Sequence, residues 1–170
     1  MFFFLPCEKL KESAVSVSLF CRSFSAEAAA TILGVDASEA VIQLEGLRHS
    51  KVVSVDREAK DLSYDIHPLM WSFVRSIGNS KKFYQKARER FCDFFVSKKK
   101  DLSALLDEDY VNAFNSFDLN RHNFELALNI FLKTDHLLIP EEYHEIIMSS
   151  YLFDTMLDDK QKKRYFQLLG

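Results

Sequence analysis

Glycine and proline are scarce in this chain, four and three among 170 residues. Sheet-rich domains need more turn-formers than that, so the shortage points to a mainly helical protein. It also removes the phosphate-cradling loops: no GxxxxGK[ST], GxGxxG or GxSxG stretch is present. Cysteine is an odd three, Cys7, Cys21 and Cys92, with no CxxC or other ligand spacing. The simplest reading is reduced thiols in a cytoplasmic protein, each packed as a small apolar group. No apolar run approaches a membrane span. The opening Met1-Phe2-Phe3-Phe4-Leu5-Pro6 lacks the basic region and cleavage site of a signal peptide, and reads as a cut inside a longer chain. His49, His67, His122, His136 and His144 form no HExxH and no close pair on one helix face, so spacing gives no metal site. With no catalytic constellation left, the chain reads as a non-enzyme.

What it has in quantity is core-forming material. Hydrophobic residues make up 48%, with 16 Phe, and a chain of this length buries roughly two thirds of its unfolded surface without disulfides. The net charge of −3 is unevenly spread. Residues 1–80 carry 8 basic and 10 acidic side chains, residues 81–100 carry 8 and 2, and residues 101–170 carry 6 and 13. A basic block between acidic neighbours is not the coherent basic face of a nucleic-acid binder.

Along the chain, Leu10, Ala14, Val17 and Phe20 recur at helical spacing, with Val15 and Leu19 widening the stripe, and predict a first helix. Ser25 caps a second over AEAAATIL, which Gly34 stops. Asp36 or Ser38 opens a third, with Ala40, Val41, Leu44 and Leu47 on its apolar side. KVVSVD and Tyr64-Asp65-Ile66 then form a two-stranded hairpin. Pro68 holds its predecessor extended and suits the first helical position, so His67 falls at an N-cap. The helix it starts buries Leu69, Met70, Phe73 and Ile77, with Trp71 and Val74 flanking, and ends at Gly78-Asn79. Three helices, a hairpin and a further helix make a winged-helix unit over residues 1–79, followed by helices only over residues 80–170.

In that second part, residues 81–96 form an amphipathic helix with an aromatic stripe of Phe83, Phe91, Phe94 and Phe95, expected to pack against the next helix. Residues 101–110 read as a short helix with a loop, residues 123–132 as a strong helix, and residues 141–157 as another behind Pro140. Asp158 or Asp159 starts the last. Short connections make these antiparallel helical hairpins, with the stack unfinished at its end. Asp107-Glu108-Asp109 and Asp158-Asp159 read as helix caps and dipole partners ahead of metal ligands. Lys98-Lys99-Lys100 reads as a solvated run at the negative end of a basic helix.

The segments VSVSLFCRSFSAEAAATIL and YDIHPLMWSFVRSI, in this order of elements, resemble the winged-helix domain of STAND-class NTPases. That group includes NB-ARC proteins and NOD-like receptors of innate-immune signalling. Leu19-Phe20, Ser23-Phe24, Glu27-Ala28-Ala29 and Ile32-Leu33 stand where the family's opening helices carry their motif. Ile66-His67-Pro68 stands in place of its Met-His-Asp motif, Pro68 replacing the acid. Asn123-Phe124-Glu125-Leu126-Ala127-Leu128 looks like a helix of the tetratricopeptide-like region that follows such domains, so the resemblance spans residues 10–133.

The resemblance implies a regulatory and scaffold segment. Its His67 would reach the phosphate of ADP on a preceding nucleotide-binding domain, and its helical region would bind protein, a second copy included. ADP or ATP would enter only with such a domain, because this chain holds no nucleotide-binding loop. Two other readings remain open. A winged helix can bind DNA through its third helix, although here that helix offers Glu39, Gln43 and Glu45 against Arg48 alone. The other is a plain helical adaptor with no link to nucleotide.

Overall fold

A computed structural model of the chain describes residues 7–56, 62–78 and 82–133, together with Leu5, Asp159, Lys160 and Lys163. Within these residues the protein is mainly helical, with six helices and one small antiparallel sheet. The helix expected over residues 141–157 lies outside the described residues, and so does most of the one after it. The chain divides into two units, Met1–Phe94 and Phe95–Gly170.

Local chemistry sets most boundaries in the first unit. Helix α1, Glu8–Val17, carries Glu8 in its first turn and buries Ala14, Val15 and Val17. The chain then leaves the helix with Leu19 and Phe20 still buried. Strand β1, Phe24–Ser25, leads into α2, Ala26–Leu33, where the Ser25 side chain accepts from the Ala28 amide at 3.1 Å. Gly34 ends α2 in the left-handed region, at φ 70° and ψ 41°. Asp36, not Ser38, caps α3, Ala37–His49, by accepting from the Glu39 amide at 2.9 Å. Ala40, Leu44 and Leu47 of α3 are fully buried as expected, but Val41 is 41% exposed and Gln43 takes the inward place beside them.

Strands β2, Val53–Asp56, and β3, Ser63–Ile66, pair antiparallel as the expected hairpin, with Val53 opposite Ile66 and Val55 opposite Tyr64. The structure adds a third strand: β1 joins the other edge of β3, Phe24 opposite Tyr64, giving the order β1-β3-β2. Phe24 stacks on Phe20 with ring centroids 4.2 Å apart and on Tyr64 at 6.1 Å. Phe91 closes this group edge-on against Phe20 at 5.7 Å.

Helix α4, Pro68–Gly78, forms where expected but is turned part-way from the expected face, with Met70 half-buried. Val74, read as flanking, is buried, while Leu69 is 76% and Phe73 37% exposed. Trp71 fixes this rotation, donating its indole N–H to the Phe20 carbonyl at 2.9 Å. Because apolar residues occupy most of the α4 circumference, periodicity alone could not choose the face.

The regions read as two helices, residues 81–96 and 101–110, are one: α5, Lys82–Glu108, of 27 residues. Lys98-Lys99-Lys100 therefore lies mid-helix and not at a negative pole, with Lys99 turned inward at 2% exposure. Asp109 then caps α6, Tyr110–Lys133, by accepting from the Asn112 amide at 3.1 Å, which bears out its reading as a cap. Phe95 of α5 meets Phe124 of α6 edge-on at 5.3 Å, and both sit at similar separations from Asp109, as in an antiparallel hairpin. The aromatic stripe is thus divided, Phe91 packing in the first unit and Phe95 against α6 in the second.

Candidate functional site

His67 sits where β3 hands over to α4, and two hydrogen bonds hold it there. Its carbonyl accepts the Trp71 amide at 2.9 Å, the first bond of the helix. Its ring Nδ1 accepts the Leu69 amide at 3.3 Å, the second helical N–H, which Pro68 leaves as the first one needing a partner. An accepting Nδ1 carries no proton, so the neutral ring keeps its hydrogen on Nε2. The imidazole is exposed, and therefore presents one N–H donor to solvent at the positive end of a helix dipole.

The helix that follows exposes two large apolar side chains. Leu69 and Phe73 are one turn apart on α4 and share its outward face with Ser72 and Ser76. Opposite them, Trp71 is fixed to Phe20 and carries the Arg75 guanidinium over its ring at 4.6 Å, a cation–π contact. Sequence reasoning found His67 but assigned Leu69 and Phe73 to the core.

The remaining histidines do not join it. His49 Nδ1 lies 2.7 Å from the Glu45 carbonyl of its own helix. His122 Nδ1 lies 3.3 Å from Glu125 on α6, and His136 and His144 lie outside the described residues. Among the described residues no three His, Cys, Asp or Glu side chains gather as metal ligands. None of the described helices is long and apolar enough to cross a membrane.

The cysteines are free thiols, but only Cys92 is packed as expected of all three; Cys7 is exposed at the head of α1 and Cys21 half-buried. Burial pushes the Cys92 thiol up to about 12, which keeps it protonated and unreactive. Lys99 is the opposite case, a cation whose burial lowers its pKa to about 7. The signal that marks the middle lysine of Lys98-Lys99-Lys100 is its spacing, four after Phe95 and three before Leu102, on one face of a continuous α5.

Comparison with family models, with curated proteins and with solved structures finds no significant match to this chain.

Proposed function

We propose that the chain is a non-catalytic regulatory and scaffold segment of a STAND-type signalling NTPase. In this reading residues 1–79 are a winged helix that senses nucleotide held by a separate nucleotide-binding domain. Residues 80–170 supply a helical linker and protein-interaction region. The observation that carries it is the exposed His67 at the head of α4, its Nε2 left as the ring donor, on a helix that also exposes Leu69 and Phe73. The donor and the helix dipole suit a phosphate oxygen of ADP, and the two apolar side chains suit the surface of the domain presenting it. Exchange of the nucleotide would release the winged helix as a rigid body.

The succession of three helices, hairpin and fourth helix supports the winged-helix part of the reading. For the second part, α5 and α6 run to 27 and 24 residues. A tetratricopeptide repeat fits its helix pair into about 34 residues, so their lengths favour the linker over the repeat here. A DNA-binding role has less support, because Arg48, the cation of α3, is paired with Glu45 at 2.7 Å.

The test uses this chain joined to the nucleotide-binding domain that the reading requires. His67→Ala is expected to speed ADP release and to change the oligomeric state. Release and assembly that both stay unchanged would sink the switch. An encoding sequence with no Walker-type loop upstream of Met1 would leave the adaptor reading in its place.

A further inference from the structure

Within the first unit, α1, the α2–α3 junction, α3 and the start of α5 line a cavity of about 220 Å³ that is open to solvent on one side. Its walls differ in chemistry. On the α1 side are Ser13 and Ser16, 2% and 6% exposed. The Ser16 hydroxyl donates to the Glu12 carbonyl at 2.9 Å, and that of Ser13 has Gln43 Oε1 and the Lys9 carbonyl as its acceptors. With those hydrogens committed, the two Oγ atoms retain only lone pairs for a ligand. The exposed Glu12 carboxylate adds a third acceptor on the same side.

The α5 side offers donors. Lys86 is exposed, and Arg90, one turn further on, donates through Nη1 to the Leu33 carbonyl at 3.0 Å and the Ile32 carbonyl at 3.4 Å. Arg90 is thereby held on the end of α2, which leaves Lys86 as the exposed cation on this side. Lys9, the third cation of the lining, is already paired with Glu39 at 2.6 Å. Glu12 and Lys86 line one cavity as opposite charges, yet among the described residues neither makes an ion pair, with each other or elsewhere. Leu33, Val35 and Phe83 complete the lining with an apolar wall.

We infer that this cavity binds a small zwitterion with an apolar body, of the class of free α-amino acids with medium-sized apolar side chains. The ammonium group meets Glu12 and the Ser13 and Ser16 oxygens, the carboxylate meets Lys86, and the side chain lies against Leu33, Val35 and Phe83. At about 220 Å³ the space falls below the 300–1,000 Å³ usual for drug-sized ligands, which favours a small one. A ligand with one charge satisfies one wall and leaves the other as it was. This inference is independent of the STAND reading, since it involves neither His67 nor any nucleotide.

The test titrates the whole chain with leucine, valine, methionine and phenylalanine, following calorimetric heat and the shift in unfolding temperature. At least one is expected to bind saturably with a Kd below about 1 mM. For that amino acid, the analogue lacking the amino group and the analogue lacking the carboxylate should each bind about tenfold more weakly, the loss of one charge-assisted hydrogen bond. Lys86→Met should weaken the amino acid and the carboxylate-only analogue while sparing the amine, and Glu12→Gln should do the reverse. Both substitutions are at exposed positions, and circular dichroism checks that the helices are kept. Failure of all four amino acids to bind overturns the proposal. So does equal affinity for the one-charge analogues, or binding unaltered by both substitutions.

Discussion

His67 holds a position that Ser, Thr, Asp or Asn ordinarily fills, because the first turn of α4 needs a side-chain acceptor and the Pro68 ring supplies no N–H of its own. At 3.3 Å the ring nitrogen meets that need with a long bond. A residue kept for capping alone would be better as Asn, so the two roles of His67 can be separated. His67→Asn should unfold at the same or higher denaturant concentration than the parent, whereas His67→Ala should lose about 0.5 kcal/mol, the low end for a cap. If the Asn variant also loses the nucleotide response proposed above, the imidazole N–H is what the response uses. An Asn variant less stable than the Ala variant would mean that His67 does not cap α4. The placement of this residue was legible in the sequence because cap and proline stereochemistry are local. The inward turn of Lys99 was hidden by a helix end read at the lysines; over a continuous α5 its spacing from Phe91, Phe95 and Leu102 puts it on their buried face.

Among the elements, α2 shows how a helix end is fixed from both near and far. Gly34 supplies the left-handed conformation that stops the helix, and Arg90 of α5 then lies over it. A Cβ built on Gly34 would collide with the Arg90 guanidinium. Gly34→Ala therefore combines a left-handed alanine, unfavourable by about 1–2 kcal/mol, with displacement of Arg90 from the Ile32 and Leu33 carbonyls. In an Arg90→Ala background the second part is already gone. Chemical unfolding of the four proteins should thus show Gly34→Ala costing less there than in the parent, a coupling of about 1 kcal/mol. Additive effects would mean that the guanidinium does not use the space the glycine leaves. The same contrast of near and far explains what sequence reading could find. Ser25, Gly34, Asp36 and Pro68 mark ends that depend on neighbours a few positions away, and those ends are where they were expected. The outward face of α4 depends on Trp71 reaching Phe20, 51 positions away, and β1 depends on a pairing with β3. The join of residues 81–96 to 101–110 was hidden by lysines that resemble a helix end, although no glycine or proline interrupts α5. At the candidate site the histidine was found for local reasons, and the apolar pair beside it missed for a tertiary one.

Across the described residues of the molecule, the shifted titrating groups are distributed so that the two units respond differently to pH. In Met1–Phe94, hydrogen bonds from Ser38 and from the Glu39 amide hold Asp36 below its ordinary 3.8. Lys9 and Gln43 hold Glu39 below 4.5 in the same way. The folded forms of these acids bind protons less readily than the unfolded ones, so their contribution is present above those values and lost as pH falls through the lower folded ones. Cys92 acts at the other end. Its thiol is raised from 9.0 to about 12, so above pH 9 the unfolded chain ionises first and the unit loses stability as pH rises. Among the described residues of Phe95–Gly170, Lys99 has the opposite sign to Cys92. Unfolded Lys99 keeps its proton up to about 10.5, whereas burial makes the folded residue release it near 7. Between those values unfolding takes up a proton, and stability increases with pH; below 7 both forms are charged and the slope vanishes. Amide hydrogen exchange, corrected for its intrinsic pH dependence, should therefore show protection of α6 rising from pH 7 to 9 while that of α1–α3 stays level. Lys99→Met should raise α6 protection at pH 7 and abolish the rise. An α6 slope that survives in Lys99→Met would remove Lys99 as its source, and a parallel rise in α1–α3 would show that the two units do not open separately.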